Sequence, residues 1–492
     1  MPDSARPPFD RRMAGILLHP TSLPAGEGFG DLGSEAWRFA EFLAASGMRV
    51  WQVLPLGPTL DDLSPYQNTS VHAGNPLLVS LRRLQEWGWL DSVPEPRRPW
   101  AVWKRRALAM AWQGFEARAD ADARAALEEF RERHAVWLED FALFEAIRES
   151  EQGRAWTDWP AALRDRDPEA LARFSRDHAD VIRRVEFEQY CFFRQWSELR
   201  AHARELGILM FGDMPIFAAH DCAEVWAHRR YFKLDARGCP VVVAGVPPDY
   251  FSRTGQRWGN PVYDWEALEA DDYGWWVERM RTQLELNDLV RIDHFRGFAA
   301  AWEIPAGETT AVHGAWVPGP GEKLFRRLEA VFGPLPVVAE DLGTITEDVV
   351  ALRERLGYPG MKILQFAFDG GADNPYLPHN HVSLSVIYTG THDNDTTLGW
   401  YRSLPDHVRE HLHAYAPLKD DPPWNLVRLA LASVGRLAVL PMQDVLALGS
   451  EARMNRPGVS GGNWRWQFAW EQLAEGLAER LRDLNRLYGR FD

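Results

Sequence analysis

The chain has 492 residues, 46% hydrophobic and 25% charged, with a formal net charge of -15. That composition excludes a disordered or fibrous protein, and the length suits about three average domains or one barrel with insertions. The acidic balance excludes a nucleic-acid polyanion as a natural partner and leaves a neutral ligand as the easier case.

The N-terminal Met1-Pro-Asp-Ser-Ala-Arg-Pro-Pro has no apolar core behind its charges, and no later stretch approaches about eighteen uninterrupted apolar residues. Neither export nor membrane insertion is expected, and a cytoplasmic location fits. Short runs rich in Val, Ile and Leu that stop at a polar residue mark parallel strands buried on both faces. Gly15 to His19 is the first such run. Helical spacing follows at Ala36, Phe39, Ala40 and Leu43, stopped by Gly47. The second strand is Val50 to Leu56. A long insertion from about 57 to 180 follows, with a Pro/Trp-rich part and a helical part from roughly Asp122 to Glu149.

A helix from about Val185 to Leu206, stopped by Gly207, leads to the third strand, Ile208 to Asp213. A second insertion, about 215 to 285, is dense in Gly, Pro and aromatics and is read as loops covering a groove. The remaining strands are Leu289 to His294, Pro336 to Glu340, Met361 to Phe366, Ser385 to His392 and Leu437 to Asp444. Between the fifth and sixth, Thr344 with Glu347 suits a capping box and Gly357 a helix end. A helix-rich tail, about Gln467 to Tyr488, would close the ring. Eight strands alternating with helices predict an α/β fold, a (β/α)8 TIM barrel with large insertions after strands two and three and around the C-terminal face, over an open doubly wound sheet. The barrel is read as one catalytic body spanning 1–492.

Catalytic groups in such a barrel sit at the carboxyl ends of strands. Those ends carry Asp213, Arg291 with Asp293, Glu340, and His392 with Asp393. In an extended strand Arg291 and Asp293 share a face, and a carboxylate beside a guanidinium stays ionised. Alone the pair reads as a salt bridge, Glu340-Asp341 as a solvated turn, and His392-Asp393 as an Asx-rich cap. Together, four carboxylates at one mouth cannot all ionise freely, so at least one pKa rises. One carboxylate paired with arginine and another raised into the general-acid range is what a retaining glycosidase needs. A metal-dependent barrel hydrolase is the rival use of His and Asp, but strand one offers only His19 and no H-x-H. Cys191, Cys222 and Cys239 include no C-x-x-C, and no P-loop or G-x-G-x-x-G follows a strand. No cofactor and no metal are expected. The 23 tryptophans exceed what a core usually needs, and those in loops are candidate platforms for a flat ligand face.

An ordered series of motifs covers nearly the whole chain: His19-Pro-Thr-Ser-Leu-Pro24, Ser64-Pro-Tyr-Gln67, Gly212-Asp-Met-Pro-Ile216, Gly245-Val-Pro-Pro-Asp-Tyr-Phe251, Thr254-Gly-Gln-Arg-Trp-Gly-Asn260 and Arg291-Ile-Asp-His-Phe-Arg-Gly297. It continues through Ala339-Glu-Asp341, Gly390-Thr-His-Asp-Asn-Asp395, Met454-Asn-Arg-Pro-Gly458 and Gly462-Asn-Trp-Arg-Trp466. The series resembles the 4-alpha-glucanotransferases, also called amylomaltases or disproportionating enzymes, of glycoside hydrolase family 77 in the alpha-amylase superfamily. This resemblance implies transfer of α-1,4-glucan segments, as in starch, glycogen and maltodextrins, by a retaining double displacement, with maltooligosaccharides as partners and glucose as acceptor. An α-1,4-glucan hydrolase of alpha-amylase type is the alternative. It further implies Asp293 as nucleophile, Glu340 as general acid/base and Asp393 as transition-state stabiliser. Arg291, Asp213, His294 and His392 would hold Asp293 and the sugar at the scissile bond. Ser64, Tyr66, Tyr250, Trp258, Phe366, Asn463 and Trp464 would line the groove, with the segments Pro247 to Trp265 and Met454 to Trp466 closing over it. Val459 and Gln467 stand where such relatives often carry Thr and Arg, which bears on acceptor and product-size preference.

Overall fold

Along each barrel strand the side chains alternate between two apolar environments, which is why the runs read as continuously hydrophobic. A computed structural model describes residues 9–25, 28–249, 252–416, 422–459 and 461–491. Twelve strands occur there in chain order: β1 (Met13–Leu17), β2 (Val50–Gln52), β3 (Leu209–Met214), β4 (Val242–Val246), β5 (Gln256–Pro261), β6 (Leu289–Ile292), β7 (Ala300–Pro305), β8 (Ala315–Pro318), β9 (Val337–Ala339), β10 (Gly360–Ile363), β11 (Ser385–Tyr388) and β12 (Leu437–Pro441). Met13, Leu17, Val50, Phe211, Leu289, Val338, Ile363 and Tyr388 face one another inside the ring. Ala14, Ile16, Trp51, Met210, Val290, Ile292 and Ile387 point outward to the helices.

Eight of the strands form one all-parallel sheet in the order β10-β11-β12-β1-β2-β3-β6-β9. Its two ends meet where the Ala339 N–H donates to the Pro359 carbonyl at 2.9 Å. The sheet therefore closes on itself as a (β/α)8 barrel, and an open doubly wound sheet is ruled out. All eight expected runs are strands, but most end sooner than their apolar stretch. Asp293, for example, leaves the β6 ladder, although its N–H still reaches the Met214 carbonyl at 3.0 Å. The residues beyond the ladders form the mouth.

Helices Trp100–Arg118, Ala121–Ser150, Pro168–Asp177 and Ala179–Glu205 lie between β2 and β3. After β3, a second sheet absent from the sequence reading forms in the antiparallel order β5-β4-β7-β8. Its strands are short and rich in Gly and Pro, and β7 and β8 come from beyond β6, so local periodicity carries no trace of them. The helix Glu347–Leu356 starts after Thr346, not Thr344, whose carbonyl instead accepts from Arg296. Gly357, left-handed at φ 69, ends it. Among the described residues no helix is long and apolar enough to cross a membrane.

The tail helix is Leu477–Leu487, and Leu477, Leu481 and Leu484 pack it into the outer core. Behind it, Arg490 is only 2% exposed and reaches the bottom of the barrel. Its guanidinium donates to the carbonyls of Met13 (2.8 Å), Leu431 (2.7 Å) and Ser433 (2.9 Å), with longer bonds to Ala430, Gly435 and Arg436. Several buried carbonyls thus depend on one cation, and removing it strands them without water. Arg490→Ala is expected to cost about 2 to 4 kcal/mol of stability. The check is a lowered denaturation midpoint with an unchanged KM.

Candidate active site

Strand register builds the centre of the mouth. β3 and β6 pair with Asp213 opposite Arg291, and both side chains project inward above Phe211 and Leu289. The buried guanidinium holds two carboxylates at once, Asp213 Oδ2 at 2.6 Å and Asp293 Oδ1 at 2.8 Å. Tyr66 donates its hydroxyl to Asp213 Oδ2 at 2.8 Å, and its oxygen lies 2.9 Å from His392 Nε2. The His392 ring stacks on Tyr66 at 5.3 Å and reaches Asp393 Oδ2 at 3.3 Å. Below them, Tyr388 donates to Gln52 Oε1 at 2.9 Å inside the barrel.

Glu340 follows β9 and is 8% exposed. Its Oε2 accepts the His294 N–H at 2.7 Å and its Oε1 the Leu342 N–H at 2.8 Å. His294 is left-handed, φ 51, which turns its N–H toward Glu340. The Trp258 ring meets the His294 ring at 4.7 Å and 90°. Two buried polar atoms here, Asp213 Oδ1 and His294 Nε2, find no partner among the described residues. Such atoms mark places for a hydroxyl-bearing ligand.

Electrostatics separate the carboxyls. Burial, and next the negative Asp293, push Glu340 up to about 8 against the pull of Arg291 and the two backbone N–H groups. Asp293 is raised to about 6, by burial and then by Asp213 and Asp393, against Arg291. The sequence reading has Asp293 stay ionised beside its arginine; the rise, caused first by burial, narrows the pH range over which it does so. Asp293 keeps 31% of its side-chain surface open, so water moderates the rise. Burial acts upward on Asp393 too, but His392, the Asn455 amide and Arg291 together hold it below the usual carboxylate range. Burial and the Arg296 charge keep His294 neutral, at about 3.

The structure thus brings together Tyr66, Asp213, Trp258, Arg291, Asp293, His294, Glu340, His392 and Asp393. Trp464, left-handed at φ 64 and 7% exposed, packs near Tyr66 and His392. Phe366 is half-buried with its ring 5.6 Å from that of Tyr376. Ser64 caps its own turn, its Oγ accepting the Tyr66 N–H at 3.3 Å. Asn463 spends its amide on its own loop, accepting from the Arg456 N–H at 3.0 Å and donating to the Val459 carbonyl at 3.0 Å. Tyr250 lies outside the described residues. Gln467, which the resemblance ties to acceptor and product-size preference, donates to the carbonyls of Thr21 and Gly28, both at 3.0 Å. Asn455 received no role from sequence, yet its amide donates to Asp393 Oδ1 at 2.6 Å. Its signal was its place in the Met454-Asn-Arg-Pro-Gly458 motif. Among the described residues no three His, Cys, Asp or Glu groups are placed to hold a metal ion.

A barrel whose mouth sets a buried, raised carboxyl beside an arginine-braced carboxylate has the layout of an enzyme of the glycosidic bond. A family model described as 4-alpha-glucanotransferase matches residues 18–472. The chain is 52% identical over 487 residues to a 4-alpha-glucanotransferase of Thermus thermophilus, covering 96% of this chain and 97% of that one. It is 45% identical to one from Synechocystis, covering 98% and 99%. An amylomaltase from Streptococcus agalactiae, solved in complex with acarbose, superposes with a TM-score of 0.94 at 36% identity over 98% of this chain and 100% of that one. The chain belongs to the 4-alpha-glucanotransferase family, glycoside hydrolase family 77, and its activity is glucan transglycosylation, with the hydrolase alternative not favoured.

The carboxyl values set a pH window. A reaction that uses Asp293 ionised and Glu340 protonated would fail as pH falls through about 6 and again as pH rises through about 8. Transfer measured as kcat/KM should trace a bell with limbs near those values. A flat profile across that range would contradict the assignment.

Proposed function

We propose that Asp293 is the nucleophile, Glu340 the general acid/base and Asp393 the stabiliser of an oxocarbenium-like transition state in a two-step retaining transfer on α-1,4-glucans. The observation that carries this reading is geometric: Arg291 holds Asp293 at 2.8 Å while Glu340, buried beside them, accepts two backbone N–H groups, so burial raises the Glu340 carboxyl further than that of Asp293. Near neutral pH it leaves one group a proton donor and its neighbour an anion. Asp293 attacks the anomeric carbon while Glu340 gives its proton to the glycosidic oxygen, and the reducing-end fragment leaves. The Glu340 carboxylate then takes the proton of an incoming sugar 4-hydroxyl, whose oxygen displaces Asp293 from the anomeric carbon. Asp213, Arg291, His294, His392 and Tyr66 hold the sugar whose bond breaks. Ser64, Phe366, Asn463 and Trp464 flank the longer groove, the last three acting through ring faces or loop shape.

Maltooligosaccharides serve as donors and glucose or another glucan as acceptor, a reading supported by the acarbose bound to the streptococcal neighbour. Water has to lose to that acceptor. Trp258 on β5, edge-on to His294, is the aromatic best placed to exclude it, as part of the insertion that covers the groove. The helical insertion, residues 57–180, serves as a subdomain supporting the mouth. Cys191, Cys222 and Cys239 are all free thiols, which supports work in the cytoplasm.

Asp293→Asn should lower transfer from maltotriose by on the order of 10⁴-fold or more while maltooligosaccharide binding persists. Turnover within tenfold of wild type would sink the nucleophile assignment. Trp258→Ala is expected to shift maltotriose products from glucose plus longer oligomers toward shorter sugars alone. An unchanged product ratio, read by chromatography, would remove Trp258 from water exclusion.

A further inference from the structure

The carboxylate of Asp393 is the most open of the acids at the mouth, with 46% of its side chain exposed. Nothing about a half-exposed Asp fixes its orientation, because the torsion of its terminal carboxylate is broad. Here both oxygens are nevertheless spoken for. Oδ2 lies 3.3 Å from His392 Nε2, and Oδ1 accepts the Asn455 amide at 2.6 Å, a short charge-assisted bond. Arg453 sets the reach of that amide. Its Nη2 donates to the Asp393 carbonyl at 2.6 Å and its Nε to the Asn455 carbonyl at 2.7 Å. One guanidinium therefore ties the backbone after β11 to the backbone after β12, and the Asn455 side chain closes the loop between them.

We infer that Asn455 is a positioning residue for the reaction, clamping the Asp393 carboxylate so that it faces the reacting sugar. The inference rests on the stabilising role given to Asp393 above. A neutral donor suits the task. A second carboxylate at that distance would force one of the two to hold a proton, and a lysine would cancel the negative charge that a cationic transition state needs. Asn463, eight residues further along, bonds only within its own segment among the described residues and offers no substitute.

The test is maltotriose disproportionation by Asn455→Ala, Asn455→Asp and Asp393→Asn, with thermal unfolding recorded for each. Asn455→Ala should lower kcat about tenfold or more with KM within about twofold, as a misplaced catalytic group does. Asn455→Asp should be weak at neutral pH and recover toward acid, moving the optimum downward as the introduced carboxyl and Asp393 come to share a proton. A merely structural amide would give the two Asn455 variants the same pH profile, and that result overturns the inference. Wild-type kcat in Asn455→Ala with an inactive Asp393→Asn also overturns it and leaves the proposed mechanism standing. An active Asp393→Asn would instead overturn the stabilising role itself. Should Asn455→Ala fail to fold, the pH profile of Asn455→Asp decides.

Discussion

A single buried guanidinium holds the mouth of this barrel together. Arg291 is 4% exposed, and its charge is taken up by Asp213 at 2.6 Å and Asp293 at 2.8 Å. A cation that deep is tolerated only when it is paired and hydrogen-bonded. Burial raises Asp293 to about 6 and Glu340 to about 8 against that cation's pull, with Glu340 lying outside its direct bonds. The difference between the two carboxyls is thus a property of the buried group of four charges, and freeing Arg291 from Asp213 would widen it by lowering Asp293.

Around that centre, positions are fixed by backbone before they are fixed by side chains. Parallel register sets Asp213 opposite Arg291, and Ile292 gives its carbonyl to the Glu340 N–H at 3.0 Å. The left-handed His294 then presents its own N–H to Glu340. Each acid consequently sits on, or one step beyond, a strand whose neighbours on both sides are hydrogen-bonded. Rigid elements of this kind hold catalytic groups more closely than loops can. The exception is Asp393, which stands past β11 in a turn and takes its restraint from the segment after β12, through Arg453 and Asn455.

The aromatic walls of the mouth belong to the less regular parts. Trp258 arrives on β5 of the small antiparallel sheet, Tyr66 on the long connection after β2, and Trp464 on the segment that also carries Asn455. These come from three separate stretches of chain and meet only at the mouth. The aromatic density of the sequence thus divides into two uses. Trp51, Trp156, Trp196, Trp226 and Trp276 are fully buried core, while Trp258 remains half-open beside His294.

By itself the sequence determined the barrel and the identity of its acids. Strands buried on both faces leave continuous apolar runs, and polar residues at their ends stand out against them, so Asp213, Arg291, Asp293 and Glu340 were visible as a set. The ordered motifs carried the family. Tertiary structure decided what depends on partners distant in the chain. The sheet β5-β4-β7-β8 joins segments on either side of β6, and no local pattern encodes that pairing. The partners of the Gln467 amide, the Thr21 and Gly28 carbonyls, lie more than 430 positions away in the chain. Asn455 looked like loop until it met Asp393. The sharing of Arg291 belongs here too, for spacing along β6 pairs it with Asp293, and only the register with β3 brings Asp213 to its other side. Strand periodicity is a local property written in neighbouring residues, whereas the charge on each acid is set by whichever groups the closed barrel happens to place within a few ångströms.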